Sequence, residues 1–161
     1  MSFKENILRI LSEIPDPEIP VISIVELGVV RDARETDSGL EIDITPTYSG
    51  CPAMKQMEDD VVKKLHDSGF PEVKVNMVYS PAWTTDWLSD HAKLKLQQYG
   101  IAPPEESTTD KSFLTGKHKS VTCPRCKSKN SSMVSQFGST ACKALYKCLD
   151  CLEPFDYFKC I

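Results

Sequence analysis

Four cysteines near the C-terminal end of the chain have the spacing of a metal site. They form two C-x-x-C pairs, Cys123 with Cys126 and Cys148 with Cys151, separated by residues 127–147. Paired knuckles of this kind are typical of small closed zinc sites, and four thiolates suit tetrahedral Zn²⁺. We therefore expect a structural Cys₄ zinc site without an open position for chemistry. The spacing does not choose between zinc and iron, because four thiolates accept both.

A fifth cysteine, Cys51, stands between a predicted strand and a helix that Pro52 can begin. The backbone N–H groups and the dipole at a helix start favour an anion, so we expect this thiol to have a lowered pKa and to bind metal or attack an electrophile. The alternative is a small buried side chain that fills the corner. Hydroxyl residues precede it and either hydrogen-bond to a thiolate or only satisfy the local backbone; they are Thr45, Thr47, Tyr48 and Ser49.

Two carboxylates, Asp16 and Glu18, lie in a loop that also contains Pro15, Pro17 and Pro20. Prolines fix φ and reduce the number of loop conformations, so this loop presents its acidic groups at little entropic cost. The pair is suited to act as hard oxygen ligands or as a proton acceptor. The alternative is that the prolines only end the first helix while both acids face water.

The two remaining cysteines, Cys142 and Cys160, have open roles. Either could replace a knuckle cysteine, although the two regular pairs fit a Cys₄ site better, or either could pack in the core. The chain has no Ser/His/Asp order, phosphate-binding glycine loop or dinucleotide fingerprint, which argues against an enzyme that works alone.

The periodicity of apolar residues predicts the elements that position these groups. A capping box at Ser2 opens an amphipathic helix, and alternating residues predict strands at roughly 28–35 and 40–46. A helix from Pro52, a strand with Val73, Val75 and Met77, and a last helix ending at Gly100 follow. This order predicts an α+β fold, a small mixed sheet with helices on one face.

The chain is expected to contain two domains, 1–100 and 120–161, joined by a polar linker over 101–119. The second is too small to be held by apolar burial alone, so we expect a zinc-ribbon β domain stabilised by its metal.

Composition excludes several classes of function. The 161 residues carry a net charge of -4, which argues against nucleic-acid binding despite a modest basic stretch over 117–129. We find no apolar run long enough for a membrane span and no export signal at the start of the sequence, so we expect a cytoplasmic protein with reduced thiols and no membrane partner.

Three motifs carry a resemblance: Asp16-Pro-Glu-Ile-Pro20, Val25-Glu-Leu-Gly28 and Thr45 through Pro52. In this order they resemble the MIP18 family of iron-sulfur assembly proteins. With the cysteine-rich tail included, the whole chain resembles the D-subunit family of bacterial phenylacetyl-CoA epoxidase. One departure is Thr85, where related domains often have proline after Trp-Thr.

The resemblance implies an accessory role in aerobic phenylacetate degradation, where a di-iron oxygenase is fed by a reductase with an iron-sulfur cluster. Its functional cysteine falls on Cys51 and its acidic loop on Asp16 and Glu18, with Thr47 and Ser49 in the cysteine motif. The hypothesis is that the chain assists delivery of iron or an iron-sulfur cluster to the reductase or the catalytic subunit, and that Cys51 holds it transiently.

A single cysteine does not complete a cluster site, so this hypothesis also requires a homodimer, ligands from a partner or a small thiol. Two alternatives stay open: a non-catalytic scaffold that stabilises the oxygenase complex, and a thiol enzyme that uses Cys51 as its nucleophile.

Overall fold

The computed structural model describes residues 1–48, 50–104 and 120–158. The chain folds into two compact units, Met1–Trp83 and Thr84–Ile161. Each unit has its own sheet and is described by itself.

The first unit is an α+β unit with a three-stranded sheet. Its elements, in chain order, are α1 (Phe3–Leu11), β1 (Val30–Thr36), β2 (Gly39–Ile44), α2 (Ala53–Asp67) and β3 (Val73–Met77). The strand order is β1-β2-β3. β1 and β2 pair antiparallel, whereas β2 and β3 pair parallel, with α2 forming the crossover between them.

Helix α1 forms where its sequence supplies both a cap and an apolar face. The Ser2 side chain accepts the backbone N–H of Glu5 while the Glu5 side chain accepts that of Ser2, a complete capping box. Ile7, Ile10 and Leu11 recur at helical spacing and are buried. The helix is therefore anchored by its apolar face, because a helix this short gains most of its stability from packing.

The core of the first unit lies on one face of the sheet. Leu40, Ile42 and Ile44 alternate along β2 and are buried, as the period-2 pattern predicts. The hairpin before β2 needs a glycine, because Gly39 has φ +127° and a Cβ at this position would lie 2.5 Å from the backbone oxygen of Glu72.

The second unit contains a single-turn 3₁₀ helix (Thr85–Trp87), one α-helix and a four-stranded sheet among its described residues. The helix is α3 (Asp90–Tyr99), and the strands are β4 (Ile101–Ala102), β5 (Ser131–Ser135), β6 (Lys143–Cys148) and β7 (Pro154–Phe158). The strand order is β4-β7-β6-β5. A buried cluster around Tyr146 and Phe155 forms its core.

The predicted fold class, a mixed sheet with helices followed by a β zinc ribbon, is confirmed. One arrangement differs from the expectation. Ile101 and Ala102, at the start of the predicted linker, form β4 and pair with β7, and α3 directly before them belongs to the second compact unit. The rest of that linker lies, except for residues 103–104, outside the described residues. Among the helices that the structure describes, none has the length and apolar character needed to cross a membrane.

Candidate functional site

Cys51 lies at the corner between β2 and α2. The chain turns at Gly50, whose φ of +74° suits a residue without a Cβ. The backbone N–H of Cys51 donates to the Tyr48 carbonyl at 3.3 Å, and the Cys51 carbonyl accepts the N–H of Met54 at 3.3 Å. Pro52 is the N-cap of α2 and supplies no side-chain cap. The predicted placement of Cys51 beside a helix start is therefore correct.

The predicted lowering of the Cys51 pKa is wrong. The residue is only 9% exposed, and burial raises the pKa of its thiol. The Ala53 backbone N–H and the Tyr48 hydroxyl favour the thiolate, as expected at a helix start, but the negative charges of Glu18 and Asp16 add to the effect of burial. The thiol therefore keeps its proton at a pH where an exposed cysteine begins to ionise.

Tyr48 connects Cys51 to the acidic loop. Its hydroxyl donates a 3.2 Å hydrogen bond to Oε1 of Glu18. Burial, the neighbouring Cys51 and Glu18 all raise the pKa of Tyr48, so the hydroxyl stays protonated and acts as a donor. The sequence shows Tyr48 only as one of four hydroxyl residues before Cys51. The signal that could have singled it out is its phenol ring, which reaches farther than a serine or threonine hydroxyl.

Asp16 has a structural task in the acidic loop. Its side chain is 3% exposed, and Oδ1 accepts the backbone N–H groups of Glu18 at 2.9 Å and Ile19 at 2.7 Å. The alternative that both acids face water is therefore wrong for Asp16, which is buried. Its carboxylate fixes the loop that carries Glu18, and its charge also acts on Cys51.

The hydroxyl residues around Cys51 fall into two groups. Thr45 directly follows β2 and is buried, and its backbone N–H donates to the Val29 carbonyl at 2.9 Å. Thr47 is partly buried in the same loop. Ser49 lies outside the described residues. A role for Thr47 and Ser49 at the site stays a prediction.

The four knuckle cysteines come together as predicted. Their sulfur atoms all lie within 4.8 Å of one another, with Cys123 and Cys151 at 3.8 Å and Cys126 and Cys148 at 3.5 Å. Sulfurs about 2.3 Å from a central Zn²⁺ at the corners of a tetrahedron stand about 3.8 Å apart. The cluster therefore has the dimensions of a tetrahedral zinc site, and these separations are far from the ~2.05 Å of a disulfide.

The two knuckles have the same backbone geometry. The residue after each pair, Lys127 or Leu152, has a positive φ, 64° and 63°. The N–H of Cys123 donates to the Ser128 carbonyl at 2.8 Å, and that of Cys148 donates to the Glu153 carbonyl at 3.0 Å. Both turns therefore direct their cysteine pairs toward a common centre.

The charges of the cluster call for a cation. Backbone N–H groups, first that of Cys151, lower the pKa of Cys148 to about 7. The Glu153 backbone N–H favours the Cys151 thiolate, but burial and the neighbouring thiols raise the pKa of Cys151 to about 12. Four thiolates therefore share this space only when a cation compensates their charge. Asp150 links the knuckles from outside by accepting hydrogen bonds from Ser128 and Asn130.

Cys142 and Cys160, the cysteines beyond these five, have two alternatives from the sequence: to replace a knuckle cysteine or to pack in the core. Cys142 is buried and contacts the Thr140 hydroxyl at 3.0 Å, so it has the packing role that is one of its alternatives. Cys160 lies outside the described residues. Trp83 is also buried and donates its Nε1–H to the Leu27 carbonyl at 2.9 Å.

The Cys51 corner has fewer closely spaced metal-ligand atoms than the ribbon. Among the described residues, only the four knuckle cysteines form a group of three or more ligand atoms close enough to hold one ion. Cys51, Asp16 and Glu18 interact electrostatically but are not a preformed cage. An ion at this corner needs further ligands or a local movement.

Comparison with known proteins assigns the chain to a family. A protein of Escherichia coli (strain K12) named for the D subunit of 1,2-phenylacetyl-CoA epoxidase is 47% identical over 97% of this chain and 92% of its own length. The chain belongs to the D-subunit family of phenylacetyl-CoA epoxidase. The family described as iron-sulfur cluster assembly protein matches residues 4–78, and the PaaD zinc beta ribbon domain matches residues 107–159.

Shorter relatives match more than half of this D-subunit family member. The Fe-S protein maturation auxiliary factor YitW of Bacillus subtilis (strain 168) is 42% identical over 59% of this chain and 94% of its own length. A crystal structure of a domain of unknown function, DUF59, from Bacillus anthracis has 34% identity and a TM-score of 0.54, covering 58% of this chain and 91% of that one. The relatives therefore support an accessory role related to iron-sulfur assembly.

Proposed function

We propose that this protein assists the delivery or insertion of iron, or of an iron-sulfur cluster, into components of a phenylacetyl-CoA epoxidase. Cys51 holds the cargo transiently, and Glu18 and Asp16 supply negative charge beside it. The recipient is the reductase or the catalytic subunit, and the protein itself does not turn over substrate. The cytoplasmic location expected from the sequence is part of this proposal.

The observation that carries the proposal is the charge around the Cys51 thiol. Glu18 and Asp16 oppose ionisation of this thiol when only a proton is available. The same carboxylates attract a cation, and a bound cation displaces the thiol proton because metal ligands bind in their deprotonated form. The corner is therefore better suited to an iron cation than to a free thiolate.

Transient binding is consistent with the incomplete ligand set at this corner. A cluster normally requires four protein ligands, and in the described part of the chain Cys51 does not belong to any group of three close ligand atoms. The missing ligands come from a second copy, from the recipient or from a small thiol. An incomplete site releases its cargo more easily than a closed cage, which suits a delivery role.

The zinc ribbon has a different task in this proposal. Its four cysteines form a closed set with tetrahedral dimensions, so the metal there is structural and the ribbon is a surface for a partner. The thiol-enzyme alternative is weaker, because the raised pKa of Cys51 reduces the fraction of nucleophilic thiolate.

The proposal is tested by co-expressing the epoxidase components with wild-type protein or with Cys51→Ser. We expect the purified reductase or catalytic subunit to contain less iron with the variant, while the variant keeps its fold and zinc. Equal iron content and equal epoxidase activity would overturn the proposal.

Cys142→Ser is the matched control, because Cys142 is also a buried cysteine but lies outside the knuckle cluster. Provided that it retains zinc, it should load the recipient as well as wild type does. A scaffold role predicts instead that complex formation with the oxygenase components is stoichiometric and independent of both Cys51 and iron.

A further inference from the structure

The second unit has a cleft that the Cys51 site does not involve. It lies between the end of α3 and the first zinc knuckle and has a volume of about 510 Å³. This volume falls in the range of ~300–1,000 Å³ that is usual for ligand sites. The helix contributes Leu94, Gln97, Gln98, Tyr99 and Gly100, and the knuckle contributes Pro124, Arg125 and Lys127.

The charge of this α3–knuckle cleft is positive, although the chain as a whole has a net charge of -4. Among the described residues that line it, Arg125 and Lys127 are charged and none is acidic. Arg125 and Lys127 both belong to the turn of the first knuckle. The backbone N–H of Lys127 donates a 3.0 Å hydrogen bond to the Cys123 carbonyl, and this bond fixes the turn. The cleft therefore favours an anionic group at a defined position.

The apolar part of the cleft is accessible from solvent. Leu94 is 49% exposed and Tyr99 is 59% exposed. Sites for small molecules bury most of the ligand surface, whereas half-exposed apolar side chains beside cations resemble the anchor points of a protein interface, where tyrosine and arginine are enriched. The lining is therefore suited to the side chains of another protein.

We propose that the α3–knuckle cleft docks an acidic segment of the recipient protein, in which an aromatic or aliphatic side chain packs on Leu94 and Tyr99 while neighbouring carboxylates pair with Arg125 and Lys127. The positive charges of Arg125 and Lys127 complement the carboxylates of an acidic segment, and this complementarity favours such a segment as the occupant. The inference rests on the proposed delivery function only for the identity of the recipient, since the docking itself does not require Cys51.

The test uses the full-length zinc-loaded protein and a defined probe. The probe is a fluorescein-labelled decapeptide in which glutamates flank a central Leu-Phe pair, and its binding is followed by fluorescence anisotropy at low and high salt. We expect saturable binding that weakens with salt. Arg125→Glu combined with Lys127→Glu should weaken it about tenfold or more, as expected for the loss of two charge-assisted contacts.

Lys129→Glu is the matched control, because Lys129 is exposed on the same loop but does not line the cleft. It should change the affinity by less than about twofold. Equal weakening by Lys129→Glu would overturn the proposal in favour of diffuse charge, as would equal binding of a peptide with glutamine in place of glutamate.

Two further outcomes are decisive. If the double variant loses zinc, Leu94→Ala and Tyr99→Ala on the helix side replace it, and unchanged peptide affinity in both overturns the proposal. A single-stranded oligonucleotide that binds more tightly than the peptide and displaces it would also overturn it, because the occupant would then be a nucleic acid. Cys51→Ser should bind the peptide like wild type, so failure of docking and failure of cargo delivery are separable.

Discussion

The Tyr48 hydroxyl donates a 3.2 Å hydrogen bond to Oε1 of Glu18, across 30 residues of sequence. This contact joins the loop before Cys51 to the proline-rich acidic loop. Both residues also act on the Cys51 thiol, and they do so with opposite sign, because Tyr48 favours the thiolate while Glu18 opposes it. The pair therefore allows the electrostatics of the site to be tested in both directions.

Glu18→Gln and Tyr48→Phe should change the reactivity of Cys51 in opposite directions. Glutamine removes the negative charge and keeps an acceptor for Tyr48, so the pKa of Cys51 falls and its alkylation at a fixed pH becomes faster. Phenylalanine removes the hydroxyl that favours the thiolate, so the pKa of Cys51 rises and alkylation becomes slower. The measurement is the rate of Cys51 alkylation against pH, read by peptide mass spectrometry.

In wild type the midpoint of that alkylation profile should lie above the ordinary thiol value of about 8.5. Glu41→Gln on β2 is the control. It also removes a partly buried carboxylate, one that pairs with Arg34 on β1 at 2.7 Å, and it should leave the profile unchanged. A wild-type midpoint below the ordinary value would contradict the description of the site.

Asp16→Ala should destabilise the protein by about 1–3 kcal/mol, the cost of leaving buried donors without their acceptor. The two donors are the backbone N–H groups of Glu18 and Ile19. Asp16→Asn keeps an acceptor oxygen and should cost clearly less. Urea denaturation of both variants measures the difference in the free energy of unfolding, and equal losses would contradict the capping role of Oδ1.

Removal of the zinc-site metal should unfold the ribbon while the first unit stays folded. The ribbon core contains Cys123 and Cys148 themselves, so loss of the metal leaves repelling or protonated thiols in its centre. The first unit has its own sheet, and none of the clustered knuckle cysteines belongs to it, so we expect its fold not to depend on that metal. Amide hydrogen exchange after chelation should show lost protection in β5–β7 and retained protection in β1–β3; simultaneous loss in both sheets would contradict this prediction.

Leu152→Gly should stabilise the metal-loaded ribbon by up to about 1 kcal/mol. Leu152 has φ 63°, a conformation that costs an ordinary L-residue roughly 1–2 kcal/mol and that glycine adopts freely. Its side chain is 64% exposed, so little burial is lost. Leu149→Gly is the control, because Leu149 is also exposed but lacks a positive φ. Thermal unfolding should show a higher Tm for Leu152→Gly alone, and a lower Tm would contradict the interpretation.

The sequence predicts local features of this molecule well. The capping box at Ser2, the alternation of Leu40, Ile42 and Ile44, and the paired knuckles are each encoded within a few residues, and the structure confirms them. The burial of Cys51 is not encoded in this way. The helix start alone predicts a lowered pKa, whereas the observed direction depends on burial and on charges from a loop more than 30 residues earlier.

Long-range pairing explains the other difference. Residues 101–119 contain few apolar residues after Ile101 and Ala102, so the sequence favours a linker that begins after α3. Ile101 pairs with Asp156 and Ala102 with Tyr157 in a parallel bridge, and both residues of β4 are buried. A two-residue strand whose partner lies far along the chain leaves no periodic pattern, so the sequence does not predict that α3 groups with the ribbon.

The central claim, that Cys51 holds an iron cargo apart from the ribbon metal, is tested most directly by elemental analysis of wild type and Cys51→Ser side by side. Both are incubated anaerobically with ferrous iron, sulfide and a small thiol, desalted, and analysed for iron and zinc per chain. We predict equal zinc in the two proteins and iron retained only by wild type. Equal iron in both proteins would contradict the claim.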